Sequence, residues 1–374
     1  MLPYGRQSID ESDVEAVAEV LRGDWLTTGP AVAAFEAELA LWTGGVPCVS
    51  VTSGTAALHV AYAAAGVRAG DEVVTSPLTF VATAATAALL GARPVFADVQ
   101  PDTGNLDPDA VASLAGCRTR VIMAVDYAGH PADYDELREV ADRVGAVLMA
   151  DAAHSIGAAY KDRPVGALAD LTTFSFFPTK AVTTAEGGAV AALAPEHHRR
   201  AARFRNHGLV KDPADQRAPD VGGWHQEVHE FGLNYRLPDV LCALGLSQLR
   251  RLTRFRARRS ELVARYNTLL RDVPGLTLPA QRAYVRPNWH LYPVRIREGR
   301  RREVYDRMRA AGIGVQVNYL PAYWHPVFED LGYRRGLCPR AEAYYAEELS
   351  LPLFPDMSDA QQDRVVETLA SILA

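Results

Sequence analysis

The hydrophobic pattern of the chain changes once, near residue 48. Before it, Val14, Val17 and Leu21 recur at helical spacing in a segment from Ile9 to Arg22, with Asp10 or Ser12 placed to cap its start and Gly23 to stop it. Pro30 suits the first turn of a second helix that carries Phe35 and Leu39. After residue 48, short apolar runs alternate with alanine-rich helical stretches. Strands are expected at Cys48–Val51, Glu72–Thr75, Pro94–Val99, Arg120–Asp126 and Ala146–Ala150. Helices are expected between them, at Gly54–Ala65, Phe80–Leu90, Asp107–Leu114 and Tyr134–Val144. Strands that are apolar throughout are covered on both faces, so this alternation predicts an α/β fold with a large, mostly parallel sheet. Strands near Leu171–Phe176 and Gly188–Ala192 extend it.

The remainder reads as helix from Pro195 to Asn206, then a polar stretch over 208–233 with no period. A loop of that length in a compact chain is functional or mobile. Helix returns at Pro238–Thr253 and runs into a second helix ending near Asp272; Pro274–Pro287 reads as a linker or sheet edge. A smaller α/β unit follows: strand His290–Arg295, helix Arg301–Ala311, strand Gly314–Val317, and helices around Arg340–Glu348 and Ser358–Ala374. We place a large domain at 1–250, including the N-terminal helical segment, and a small C-terminal domain at 251–374.

Composition narrows the class. With 374 residues, 48% of them hydrophobic, the chain can bury a large core. Its net charge of −6 and the absence of a long basic block argue against nucleic acid; Arg250 to Arg259 reads as one face of a helix. Cys48, Cys117, Cys242 and Cys338 show no paired spacing, which argues against a zinc ribbon or a disulfide framework. The N-terminus has no apolar leader core and no stretch is long enough to span a bilayer, so the expected location is cytoplasmic, away from membranes.

The chemistry collects at the expected carboxyl ends of the strands, where ligands of open α/β sheets sit. In Thr172–Gly188, an apolar strand breaks at Pro178, presents Lys180 and ends in a glycine pair. Only three of the 39 basic residues are lysine, at 161, 180 and 211. Arginine stays protonated and cannot serve as an amine nucleophile; a lysine kept at this place suggests a Schiff-base amine, with a solvated loop lysine as the rival. Ser53, Gly54 and Thr55 follow a strand and open a helix, a geometry that binds phosphate or simply caps the helix. Phe80, at another strand mouth, either stacks on a flat ring or packs into the core. Asp151 ends an apolar strand with His154 three residues on. A buried acid there needs a partner, for which a protonated pyridine nitrogen serves; metal ligation lacks a third ligand, and an aspartate helix cap is the bland alternative. With Ser175 beside Lys180, the set of parts is that of a pyridoxal 5′-phosphate (PLP) site.

These segments resemble the aminotransferases of nucleotide-activated sugars (DegT/DnrJ/EryC1/StrS type), of the aspartate-aminotransferase fold, fold type I. The resemblance rests on Thr52-Ser-Gly-Thr-Ala56, Asp151-Ala-Ala-His154, Thr184-Ala-Glu-Gly-Gly188 and Asn234-Tyr-Arg-Leu-Pro-Asp239, and runs from Leu26 to Pro352. It implies that Lys180 is the Schiff-base lysine, that Asp151 pairs with the pyridine nitrogen, that Phe80 stacks on the ring, and that Gly54, Thr55 and Ser175 hold the phosphate. It further implies that Asn234 reaches the neighbouring subunit's phosphate, hence a homodimer with shared sites and an interface role for 208–233. Many members have glutamine where this chain has His154. The histidine form is similar to the branch that aminates C4 of a UDP-linked 4-keto-6-deoxy-hexosamine on the route to pseudaminic acid; there His154 would face the cofactor's ring hydroxyl. The implied substrates are a nucleotide sugar, UDP-linked in that branch, and an amino-acid donor such as glutamate, with Tyr4, Thr27 and Tyr319 as candidate substrate contacts and no metal. Alternatives are amination at C3, a PLP-dependent sugar dehydratase, which the retained Lys180 disfavours, and a non-catalytic PLP-binding regulator.

Overall fold

The computed structural model describes residues 1–374. Seven strands form its central sheet: β1 (Cys48–Val51), β2 (Glu72–Thr75), β3 (Arg93–Phe96), β4 (Thr119–Val125), β5 (Val147–Asp151), β6 (Leu171–Ser175) and β7 (Gly188–Ala192), in the order β1-β7-β6-β5-β4-β2-β3. All seven strands expected for this sheet are therefore present, within three residues of their expected ends. The pairs β3–β2, β2–β4, β4–β5 and β5–β6 are parallel, and β7 runs antiparallel to both β6 and β1. That one reversal follows from the connection: the turn from Ser175 back to Gly188 has no crossover helix, so the chain can only return antiparallel.

The helices that surround this sheet are α2 (Pro30–Trp42), α3 (Gly54–Ala64), α4 (Ala82–Leu89), α5 (Pro108–Leu114), α6 (Tyr134–Val144), α7 (Pro195–Phe204) and α8 (Asp239–Arg250), with α1 (Glu11–Arg22) lying outside them against α8. Alanine dominates α3, whose residues Ala56, Ala57, Ala61 and Ala64 are buried, so its backbone packs close to the sheet. Two cores sandwich the sheet. One contains Ile122, Leu148, Phe174 and Ala189, and the other Val121, Met149, Leu171 and Val190. Consecutive residues of one strand therefore face opposite cores, as the uninterrupted apolar runs require.

The helical stretch after Pro238 breaks at Arg251, and α9 (Leu252–Leu269) continues it. Packing changes over inside α9: Leu252 and Phe255 belong to a sheet core, whereas Leu262, Val263 and Tyr266 join a separate core that runs to Leu373. This second core is built on a three-stranded antiparallel sheet, β8 (Leu276–Thr277), β9 (Tyr292–Ile296) and β10 (Glu348–Leu351), with α10 (Arg301–Ala310) and the C-terminal helix Asp359–Leu373. Leu2 also enters this core, and its backbone brackets Gly312 and Gly314, so the N-terminus is tied to the C-terminal unit.

Three expectations need correction. Gly314–Val317 is not a strand: it makes a single bridge, Gln316 to Ser350, on the free edge of β10, and the next N–H, that of Asn318, donates to the Glu348 carboxylate at 2.6 Å instead of continuing a ladder. The 208–233 stretch is not wholly irregular; it contains a short ribbon of Leu209–Val210 with Glu227–Val228. The apolar stripe of α1 does not face the core, since Val14 and Leu21 are exposed while Asp13 is buried. Asp13 pairs with Arg251 and accepts from Gln248 Nε2 at 2.8 Å, so polar contacts decide which face of α1 lies against α8 and the turn after it.

Candidate active site

The sheet register aligns the chemistry. Val51 at the end of β1 and Ser175 at the end of β6 both pair with Gly188, the first residue of β7. Asp151 at the end of β5 pairs with Thr173 on one side and Val125 on the other. The strand ends thus open on one side, into a cavity of about 440 Å³. Its lining includes Tyr4, Ser53, Gly54, Thr55, Phe80, Asp151, His154, Ser175, Lys180 and Tyr319. Ten of the twelve residues singled out in the sequence are therefore brought together. Thr27 and Asn234 are not: both are exposed and neither lines the cavity of this single chain.

Ser53 caps α3, its Oγ accepting from Ala56 N–H at 3.0 Å. The N–H groups of Gly54 and Thr55 precede the first intrahelical bond, and no group of the chain accepts them. They face Ser175 closely. A Cβ on Gly54 would lie 2.8 Å from Ser175 Cβ and 2.9 Å from its Oγ, so only glycine leaves this cradle open. Gly188 is required for a related reason: its Cβ would approach Ser53 O at 2.5 Å and Phe174 O at 2.7 Å.

The loop bearing Lys180 is held by the Phe176 backbone. Phe176 N–H donates to Gly187 O at 2.9 Å, while its carbonyl accepts from Thr184 N–H and from Thr183 Oγ, each at 3.0 Å. Lys180 N–H closes a turn onto Phe177 O at 2.8 Å. Part of the Lys180 side chain stays open to the cavity. Its ammonium sits among atoms that strip its water, and burial pulls its pKa from the ordinary 10.5 down to about 8 against the attraction of Asp151. Asp151 accepts from Thr83 Oγ at 2.7 Å and from Ala153 N–H at 3.2 Å. Burial pushes its carboxyl above the usual range, and the two donors and Lys180 oppose that rise.

His154 is buried. Its Nε2 lies 3.1 Å from the Tyr319 hydroxyl and its Nδ1 has no partner. Burial and Lys180 hold the imidazole well below its ordinary pKa, so it is neutral near pH 7. His290 also lines the cavity and lies against His154, with ring centroids 4.3 Å apart and the planes tilted by 40°. Sequence reasoning placed His290 at the start of a strand and gave it no role; nothing local distinguishes it, because its neighbour lies far away along the chain. Phe80 is 60% exposed, which resolves its two readings: the ring stands in the cavity mouth, 6.4 Å from the Tyr319 ring, and is not core. Gln316 and Asn318 complete the C-terminal wall.

The residues present fit PLP. Two free helix N–H groups beside Ser175 suit a phosphate, a buried carboxylate suits a ring nitrogen, a partly desolvated amine suits carbonyl chemistry, and an exposed aromatic suits a ring face. Asn234 remains outside this set. No group of three or more His, Cys, Asp or Glu side chains is placed to hold a metal ion, and no helix is long and apolar enough to cross a membrane.

Comparison with known proteins agrees with the geometry. Residues 7–370 match the model of the DegT/DnrJ/EryC1/StrS aminotransferase family. The chain is 38% identical, over its full length and 97% of the relative, to the spore coat polysaccharide biosynthesis protein SpsC of Bacillus subtilis. It is 35% identical, over its full length and 98% of the relative, to the UDP-4-amino-4,6-dideoxy-N-acetyl-beta-L-altrosamine transaminase of Campylobacter jejuni. Among solved structures it resembles PseC of Helicobacter pylori, an aminotransferase involved in the biosynthesis of pseudoaminic acid, with a TM-score of 0.93 and 29% identity over 100% of this chain and 99% of that one. It resembles Spr1654 of Streptococcus pneumoniae in its PMP form equally, with a TM-score of 0.93 and 30% identity over 100% and 99% of the two chains; that protein is also solved in a PLP form.

Proposed function

The chain belongs to the DegT/DnrJ/EryC1/StrS aminotransferase family, and from that premise we propose that it transfers an amino group from glutamate to C4 of a UDP-linked 4-keto-6-deoxy-hexosamine. It is a PLP-dependent sugar aminotransferase. The observation that carries the residue assignment is the meeting, in one cavity, of a desolvated lysine, a buried aspartate and an open helix N-terminus.

When bound, PLP supplies the electron sink that makes a carbon–hydrogen bond next to the amine acidic. The chain's own residues do the rest. Gly54 and Thr55 N–H groups, with the Ser53 and Ser175 hydroxyls, would hold the phosphate. Asp151, ionised, would keep the ring nitrogen protonated. Phe80 would cover a ring face. His154, neutral, would lie on the side of the ring hydroxyl, its orientation set by Tyr319. Lys180 Nζ, with a pKa of about 8, is an effective base near neutral pH and would carry the proton that transamination moves. Tyr4 and Tyr319 line the side of the cavity open to the sugar. Borohydride reduction of the loaded enzyme with peptide mapping is expected to label Lys180; label on Lys161 or Lys211 overturns the assignment.

Support for C4 and for UDP comes from the Campylobacter relative, whose described activity concerns a UDP-linked 4-amino sugar, and from His154. Incubating the enzyme with glutamate and UDP-, dTDP- or GDP-linked keto sugars, read by mass, tests the nucleotide and the donor. NMR of the product tests the carbon. Amination at C3, or of a dTDP sugar alone, refutes this choice.

The same reading makes the enzyme a cytoplasmic homodimer with shared sites. It is supported by the position of Asn234 outside its own cavity, and the exposed side chains Val14, Leu21, Trp25 and Phe231 are ones that a second copy would cover. Sedimentation equilibrium showing only monomer refutes it.

A further inference from the structure

Three buried oxygen-bearing side chains stand in line in the cavity wall. Thr79 and Thr83 are 3% and 0% exposed, and Asp151 is 7% exposed. Thr83 Oγ lies 2.7 Å from Asp151 Oδ2 and 2.7 Å from Thr79 Oγ. The backbone around Thr83 is itself pinned, because the fully buried Tyr62 donates its hydroxyl to Thr83 O at 2.9 Å. Phe80 O, at 3.2 Å from Thr83 Oγ, is the longer alternative acceptor.

Proton counting gives this line a direction. A hydroxyl has one proton, and an ionised carboxylate only accepts. The Thr83 proton therefore points to Asp151 Oδ2, the shorter and charge-assisted bond. The Thr83 oxygen is then left as an acceptor, and Thr79 donates to it. The order Thr79 to Thr83 to Asp151 cannot reverse while Asp151 is ionised. Each link polarises the next in a low-dielectric interior. Asp151 Oδ2 is thereby occupied by Thr83. Oδ1, which accepts only the 3.2 Å Ala153 N–H, keeps a lone pair for a ligand.

We propose that Thr79 and Thr83 form a directed hydroxyl chain that orients the Asp151 carboxylate and keeps it ionised, so that Thr83 is a positioning residue for cofactor binding and turnover. The inference rests on the assignment of Asp151 as partner of the PLP ring nitrogen. Thr83 touches neither cofactor nor substrate in this scheme; it acts through Asp151.

Thr83→Val is nearly isosteric and removes only the hydroxyl. Loss of a hydrogen bond to a buried charge predicts about tenfold to hundredfold weaker binding of PLP to the apo protein, read by absorbance titration. kcat should fall by a similar factor, with KM for the keto sugar unchanged. Thr83→Ser, which restores the donor without the methyl, should recover both values. Thr79→Val should weaken PLP binding by only about threefold, because Thr83 can still donate, and it reads the same chain should Thr83→Val not fold. Unchanged PLP affinity in a folded Thr83→Val, or in Thr79→Val, overturns the chain. So does a Thr83→Ser as impaired as the valine variant, which would assign the effect to packing. Asp151→Asn separates the two levels. If it binds PLP and turns over as the parent does, the assignment of Asp151 falls and the chain with it. If it is impaired while Thr83→Val is not, the chain alone falls.

Discussion

Burial of Lys180 has a consequence for folding that runs opposite to intuition about an essential residue. The unfolded chain holds this amine at its ordinary 10.5, and the folded chain at about 8. A displacement of about 2.5 decades, at ~1.36 kcal/mol each, corresponds to about 3 kcal/mol, and that figure already contains the attraction of Asp151. Because the folded value is the lower one, between pH 8 and 10.5 the unfolded state binds the extra proton, and stability rises with pH across that window. Below about pH 8 the whole cost is present. Lys180→Met keeps the aliphatic packing and removes the charge. The variant, stripped of cofactor, is therefore expected to be more stable than the stripped parent by up to about 3 kcal/mol at pH 7, and the difference should vanish towards pH 10.5. Denaturant titrations of both proteins across pH, at equal concentration, measure it; groups common to both cancel. A Lys180→Met no more stable than the parent at pH 7, or a difference that does not shrink with pH, refutes the desolvated amine and with it the explanation of Lys180 as a base near neutrality.

Other substitutions test the remaining geometry. Gly54→Ala inserts a Cβ 2.8 Å from Ser175 Cβ, an overlap costing about 1–3 kcal/mol, and should weaken PLP binding about tenfold or more; unchanged affinity by absorbance titration would remove Gly54 from the cradle. Tyr319→Phe strips His154 of the hydroxyl at 3.1 Å and leaves its buried ring without a hydrogen-bond partner, so kcat/KM for the keto sugar should fall about tenfold; an unaffected value denies the pair a role. Glu348 is fully buried, and burial raises its carboxyl to about 8 despite the Asn318 N–H at 2.6 Å and the Ser350 hydroxyl. Its folded pKa lies above the unfolded one, so its ionisation erodes stability as pH climbs to about 8, by at most ~1.4 kcal/mol per pH unit. Glu348→Gln should flatten that slope in denaturant titrations at successive pH values, and an unchanged slope contradicts the buried acid.

Local signals made most of the sheet readable. Strands β1, β2 and β7 have the bounds expected of them, because their residues are buried on both faces and the short runs read as largely apolar even with Ser50, Glu72 and Thr75 among them. Lys180 was readable for a compositional reason, as an amine kept in a chain that otherwise uses arginine. Gly54 and Gly188 were readable as glycines, but the backbone and side-chain approaches that require them are between β1, α3, β6 and β7. His290, Thr83 and Glu348 carried no local signal. Each matters only through a partner at least 30 residues away: His154, Asp151 and Asn318, respectively. The failed reading of α1 has the same origin. Its apolar spacing is helical, and it is helical, but Asp13 turns inward because Arg251 and Gln248 wait there.

By itself, then, the sequence determined most of the elements and the residue types at the strand ends, because hydrophobic period and capping are local, and the β-α alternation implied a mostly parallel sheet. Tertiary structure decided the rest. The register that sets Gly188 between Val51 and Ser175 opens the cradle, and the burial around Lys180 brings its amine to about 8. Phe80 is left standing in the cavity mouth, and the proton direction from Thr79 to Asp151 is set by which oxygens lie 2.7 Å apart. Desolvation and hydrogen-bond direction are properties of what surrounds a group in space, and only the folded chain supplies those surroundings.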